Sequence, residues 1–175
     1  NLAQTLADLG GTPLNYMRVK KIIKPGDKAV GVVAEDVENK NDYEIRGRVV
    51  VNATGVFADA VRAMDESGQD KIITASQGIH LVLDRKFLPG DSAIMVPHTE
   101  DGRVLFAVPW HDRVLIGTTD TPMTTISLEP VPLREEIDFL LKHAVRYLAD
   151  DPSPSDVLSV FAGLRPLVHS NSHKS

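Results

Sequence analysis

Residues 103–122 read RVLFAVPWHDRVLIGTTDTP, and their reading decides the fold of most of the chain. The apolar runs at 103–109 and 113–117 are too short for helices, and His111-Asp112 between them is hairpin chemistry. Upstream, GIHLVLD at 78–84 and SAIMVP at 92–97 have the same pattern, with Glu100-Asp101-Gly102 as a second hairpin turn. An antiparallel sheet follows from these four runs. Downstream, residues 132–148 (PLREEIDFLLKHAVRYL) predict the strongest helix. Pro132 stands near its start, acids follow, and Ile137, Leu140, Leu141, Ala144 and Leu148 form one stripe. The charge run at 134–138 is simplest as the solvated face of that helix. Residues 150–155 break it, and a strand over 156–161 leads into Gly163-Leu164-Arg165-Pro166, which reads as a constrained turn.

Upstream of Ile72 the pattern differs. Leu2, Leu6 and Leu9 recur at helical spacing before Gly10-Gly11, so residues 2–9 end a helix. Strands are expected over 12–23, 29–37 and 43–52, with Pro25-Gly26-Asp27 as a turn. Val49-Val50-Val51 is continuously apolar, the mark of a strand covered on both faces. It runs into Asn52-Ala53-Thr54-Gly55 and then a helix over 57–64, the way open α/β sheets present a ligand edge.

Composition narrows the function classes. With 42% hydrophobic and 25% charged residues, the 175-residue chain is globular, one domain or parts of two. A net charge of −5 and 5% aromatics argue against a nucleic-acid binder. There is no cysteine, which excludes disulfides, thiolate nucleophiles and Cys-ligated metals. No apolar run approaches the roughly 20 residues that span a bilayer. The start at Asn1 and the polar residues 169–175 suggest a piece of a longer protein. His98, His111 and His143 lack metal-site spacing, and His169 and His173 lie outside any helical pattern, so no metal is expected.

Four short motifs hold the candidate chemistry. Small residues at Ala53-Thr54-Gly55 let backbone amides approach a nucleotide, although an ordinary strand-to-helix turn needs the same residues. His80, after Gly78-Ile79, suits a general base or a donor to an electron-rich ring, and equally a satisfied core histidine. Gly117-Thr118-Thr119-Asp120 offers two hydroxyls and a carboxylate to a polar ligand, or simply forms a turn. Arg165, between Leu164 and Pro166, is a fixed fork for a carboxylate or phosphate, or one half of a structural ion pair.

Taken together in this order, GIHLVL, VLFAVPWHDRVLIGTTDTP and FAGLRPLV resemble the FAD-dependent glycerol-3-phosphate dehydrogenases, amino-acid-oxidase-like flavoenzymes, from about Leu2 to Val168. The resemblance implies an α+β fragment of an α/β flavoenzyme. Residues 1–70 would be part of an FAD-binding domain with a β-meander, and 71–168 a substrate-binding antiparallel sheet with one long helix. Residues 169–175 would be a polar tail. It implies that Val19 contacts FAD at the adenosine end through its backbone, that Ala53, Thr54 and Gly55 lie beside FAD, and that Gly78, Ile79 and His80 run near its ring. His80 and Arg165 would be catalytic, with Thr118 and Arg165 binding substrate. The implied reaction is oxidation of sn-glycerol 3-phosphate to dihydroxyacetone phosphate, with electrons passed to a quinone or other acceptor. The implied location is cytoplasmic, with peripheral attachment to the inner face of the cell membrane open. An enzyme of the same superfamily acting on an amine or 2-hydroxy acid, and a non-catalytic α+β binding module, are the competing readings.

Three departures set further expectations. Val56-Phe57 replaces the relatives' Pro-Trp, a change of packing. Gln77 stands where several relatives have Lys, which would remove a cation from near the flavin. The G-x-G-x-x-G loop that cradles the FAD pyrophosphate is not among these residues. The 175 residues alone are therefore expected to bind FAD poorly and not to turn over.

Overall fold

The computed structural model describes residues 1–97, 99 and 102–168. The turn expected at Glu100-Asp101, His98, and the tail with His169 and His173 lie outside the described residues. The chain divides into two compact units, Asn1–Lys71 and the residues from Ile72 onward.

The first unit opens with α1 (Leu2–Asp8). Gly10, at φ 84°, ends it: the Gly10 and Gly11 amides donate to Ala7 O and Leu6 O at 2.9 and 2.8 Å. That pair of bonds caps the last carbonyls as a Schellman motif does. Strands β1 (Met17–Ile23), β2 (Gly31–Asp36) and β3 (Asp42–Arg46) form an antiparallel meander in that order. The first strand is shorter than expected, since Pro13 has no N–H to donate and Tyr16 takes φ 54°. The expected strand over 43–52 stops at Arg46, and Val49 and Val51 are 75% and 79% exposed. A strand buried on both faces lies inside a sheet, paired with neighbouring strands and packed above and below. None of the described strands lies against the valine triplet. A single 3₁₀ turn (Gly55–Phe57) then leads into α2 (Ala58–Asp65).

The second unit is one antiparallel sheet with a helix on one face. Its strands are β4 (Ile73–Asp84), β5 (Ile94–Val96), β6 (Leu105–Trp110), β7 (Arg113–Gly117), β8 (Thr121–Met123) and β9 (Ser159–Val168), with α3 (Arg134–Ala144) between the last two. The order is β5-β6-β7-β4-β8, and β9 also pairs with β4 along ten residues. Pleating sorts the side chains. One register row, Ile94, Ala107, Ile116, Leu81 and Val160, joins the core, where Leu140, Leu141 and Ala144 of α3 pack. The next row, Met95, Phe106, Gly117, His80 and Phe161, points to the opposite face.

Two expectations change here. Gly163-Leu164-Arg165-Pro166 is not a turn: it is mid-strand in β9, paired residue for residue with β4. Pro166 is tolerated because β9 pairs with β4 alone among the described strands, and an edge strand accommodates a missing donor. The face of α3 is not uniformly solvated either, since Glu136 is 2% exposed.

Candidate functional site

The four motifs fall into the two units, and each unit has its own cluster. In the second unit, β7 and β8 pair with successive stretches of β4, His80 opposite Gly117 and Gln77 opposite Thr121. Residues 118–120 therefore face Gly78 and Ile79 without a regular ladder. The Ile79 amide donates instead to Thr119 Oγ1 at 3.0 Å, a hydroxyl taking the place of a backbone acceptor.

Freed from the ladder, this segment turns its acceptors toward Arg165. Arg165 Nη1 donates to Thr119 O at 3.0 Å, and Nη2 donates to Thr118 Oγ1 at 2.6 Å. Asp120 Oδ1 lies 3.7 Å from Nη1 and accepts a hydrogen bond from Ser76 Oγ. The two Thr bonds use two of the five guanidinium N–H donors. The Arg165 side chain remains 38% exposed. It lines a cleft of about 550 Å³ with Arg103, Thr118, Asp120 and Leu167.

Glycine makes that placement feasible. A Cβ on Gly78 would stand 2.2 Å from Arg165 Nη2, so the guanidinium lies directly on the glycine backbone. Likewise a Cβ on Gly117 would stand 2.3 Å from His80 Cδ2. His80 thus packs over Gly117 and stacks on Phe161, with ring centroids 5.1 Å apart and planes 5° apart. Burial, and then the positive charge of Arg165, hold the His80 pKa below the ordinary histidine value. The imidazole is neutral at neutral pH, with a base available.

In the first unit, Asn52 organises the turn. Its Oδ1 accepts from Thr54 Oγ1 at 2.8 Å and Thr54 N at 3.4 Å, while its Nδ2 donates to Ala58 O at 3.0 Å. Gly55 has φ 57°, and nothing stands within 4 Å of where its Cβ would be. Ala53, Thr54 and Gly55 are exposed. An exposed glycine turn of this kind fits close backbone approach by a nucleotide cofactor. Val19 lies in β1 beside a register shift, paired with Ala34.

Gln77 lies apart from the Arg165 cluster. It is 0% exposed and lies on the helix-covered face, since β4 alternates and His80, Gly78 and Ser76 share the other. Its Nε2 donates to Glu136 Oε2 at 2.8 Å and Val131 O at 3.0 Å. A lysine here would meet Glu136, on the face away from His80 and Arg165, so Gln77 removes no cation from their side. Glu136, expected on the solvated face of the helix with the rest of the 134–138 charge run, is buried. The available signal was its place three residues after Leu133, where a capping Glu returns to the helix start. Its Oε2 accepts the Leu133 amide at 3.0 Å. His143 Nδ1 lies 2.8 Å from Phe139 O, and His111 forms the β6–β7 turn at φ 51°.

A family profile described as FAD dependent oxidoreductase matches residues 1–174. The mitochondrial glycerol-3-phosphate dehydrogenase of Schizosaccharomyces pombe is 40% identical over 95% of this chain and 27% of its own length. The human mitochondrial enzyme of the same name is 37% identical over 95% of this chain and 24% of its own. The structure of the Bacillus halodurans glycerol-3-phosphate dehydrogenase complexed with FAD superposes with a TM-score of 0.85 at 37% identity, covering 93% of this chain and 33% of that one. Bacillus cereus glycine oxidase, at 18% identity and TM-score 0.65 over 94% of this chain and 41% of its own, shares the fold. The chain spans between a quarter and a third of the length of the glycerol-3-phosphate dehydrogenases it matches here. On the profile match over nearly all its residues, the chain belongs to the FAD dependent oxidoreductase family.

Proposed function

We propose that the chain is part of a longer flavoenzyme that oxidises sn-glycerol 3-phosphate to dihydroxyacetone phosphate and passes the electrons to a quinone or another acceptor. The similarity to glycerol-3-phosphate dehydrogenases over 95% of the chain supports the substrate. The observation that carries the chemistry is Arg165: half-exposed, oriented by Thr118 and Thr119, and placed on Gly78 in the same sheet as a neutral His80. In this reading the remaining guanidinium donors hold the anionic substrate and the charge that develops on its oxygen. His80 takes the proton of the C2 hydroxyl. FAD, when bound, supplies the hydride acceptor.

Residues 1–70 are proposed as the FAD-binding part and 71–168 as the substrate-binding part. Val19, Ala53, Thr54, Gly55 and Gly78 are the proposed FAD contacts, and Thr118 with Arg165 the substrate contacts. A place in glycerol metabolism, in the cytoplasm or against the inner face of the cell membrane, belongs to the same proposal. Among the described residues no helix is long and apolar enough to cross a membrane.

The test is Arg165→Ala in the full-length, FAD-loaded protein, assayed with an artificial electron acceptor. Glycerol phosphate oxidation should fall by about 100-fold or more, as expected when a charged transition-state contact is lost, while flavin absorbance per protein stays constant. Unchanged kinetics would remove Arg165 from the site. Turnover of glycine or a 2-hydroxy acid, with none of glycerol phosphate, would replace the substrate.

A further inference from the structure

Behind the sheet, on the face opposite Arg165, lies a polar network that the proposed reaction does not use directly. Glu136 is buried, yet its carboxylate has no cationic partner among its hydrogen bonds. Oε1 accepts from Thr119 Oγ1 at 2.9 Å and Thr121 Oγ1 at 2.8 Å. Oε2 accepts from Gln77 Nε2 at 2.8 Å and the Leu133 amide at 3.0 Å. Burial by itself pushes this carboxyl's pKa up. The four bonds, led by the Leu133 amide, outweigh it and hold the pKa below the ordinary carboxylate value. Glu136 is thus a buried anion kept charged by neutral donors.

The location of those donors matters more than their number. Thr119, in the segment between β7 and β8, and Thr121, the first residue of β8, bracket Asp120, and Gln77 immediately precedes Gly78 in β4. Thr119 passes through the sheet: its hydroxyl reaches back to Glu136, and its carbonyl reaches forward to Arg165 Nη1. With no ladder over residues 118–120, the Thr119 hydroxyl ties that segment to the β4 backbone through the Ile79 amide, beside the Ser76–Asp120 side-chain bond. We propose that Glu136 is a positioning residue for Arg165, acting through Thr119 to hold the two acceptors that orient the guanidinium. The proposal rests on the reading of Arg165 as the anion-binding group.

Glu136→Gln is the sharpest change, because it keeps shape and polarity but turns one acceptor into a donor. The Leu133 amide and Gln77 Nε2 can only donate and so keep the amide oxygen, and the new N–H₂ faces the Thr119 and Thr121 hydroxyls, which lose the acceptor they donate to. In the full-length, FAD-loaded protein, kcat/KM for sn-glycerol 3-phosphate should fall about 10- to 100-fold, the loss typical of a misplaced catalytic group. Flavin content should not change. The decisive arm is the same substitution in an Arg165→Ala background, where it should cost less than about twofold, because coupled residues lose their effect together. Where Glu136→Gln fails to fold, Thr119→Val replaces it, and Thr119→Ser, which keeps the hydroxyl, should be about tenfold more active than Thr119→Val.

Equal losses from Glu136→Gln with and without Arg165 would make the network a general structural prop and overturn the proposal. Wild-type kinetics in both Glu136→Gln and Thr119→Val, with Arg165→Ala impaired, would overturn it while leaving the site reading intact. Wild-type kinetics in Arg165→Ala alone would remove the site reading, and this inference with it.

Discussion

The Arg165 cluster of the second unit and the Asn52-Ala53-Thr54-Gly55 turn of the first, the two candidate sites, are built by opposite means. The Arg165 cluster is assembled from four separated segments, around residues 78, 119, 136 and 165, and each link is a hydrogen bond or a tight contact. The turn is local: Asn52 bonds to residues two and six positions on, and the backbone it shapes is exposed. Geometry that depends on long-range contacts is rigid and sensitive to one atom. Geometry built within a few residues survives small changes. The comparison therefore predicts large kinetic effects in the first place and small ones in the second.

Gly78→Ala tests the sensitive side most severely. The added methyl would sit 2.2 Å from Arg165 Nη2, and the cheap relief is for the flexible guanidinium to swing away. The fold should survive while both Thr bonds are lost, and kcat/KM should drop by about 100-fold, the scale of a 1 Å misplacement. Thermal unfolding and steady-state kinetics on the same sample separate the two effects. Wild-type kinetics would break the comparison at its strongest point.

Gly117→Ala applies the same logic to His80, whose Cδ2 would stand 2.3 Å from the new methyl. The imidazole must move off the glycine, away from its stack on Phe161. A reduction in kcat/KM of about tenfold is expected, below the full worth of a general base, because the ring is displaced and not removed. The pH profile sharpens this. His80 titrates low because it is buried first and faces Arg165 second. Moving it toward water raises that pKa, so the acidic limb of kcat/KM should shift to higher pH. A shift to lower pH, or none, would argue that His80 is not the group titrating.

How far the sequence carried each part follows from the range of the interactions involved. The sheet was legible because β6 and β7 alternate with period two around an obvious turn, and pleating alone sends Ile116 inward and Gly117 outward. Arg165 was legible as a constrained cation, but its setting was misread, since Gly and Pro together usually mark a turn. In β9 the glycine at 163 meets Gly78 across the ladder, and Pro166 sits on an edge. Glu136 was misread for a deeper reason. A charged residue early in a helix is normally solvated, and only the partners at 77, 119 and 121, distant in sequence, bury it. The valine triplet at 49–51 fails in the reverse sense: its pattern is that of a strand buried on both faces, yet Val49 and Val51 are exposed and no described strand pairs with them.

Asn52→Ala tests the tolerant side. The substitution removes the acceptor for the Thr54 hydroxyl and amide and the donor to Ala58 O. All these bonds are exposed, so water replaces them, and the loss should be about 0.5–1 kcal/mol, the low end for a hydrogen bond. Gly55 keeps its φ of 57° because its own lack of a Cβ permits it, independent of Asn52. In the full-length protein that loss corresponds to FAD affinity weakened by about two- to fivefold, read by titration of the apoprotein, with kcat at saturating FAD unchanged. A hundredfold loss of affinity would mean that the turn is as tightly determined as the Arg165 cluster, and the distinction between a long-range and a local site would fall.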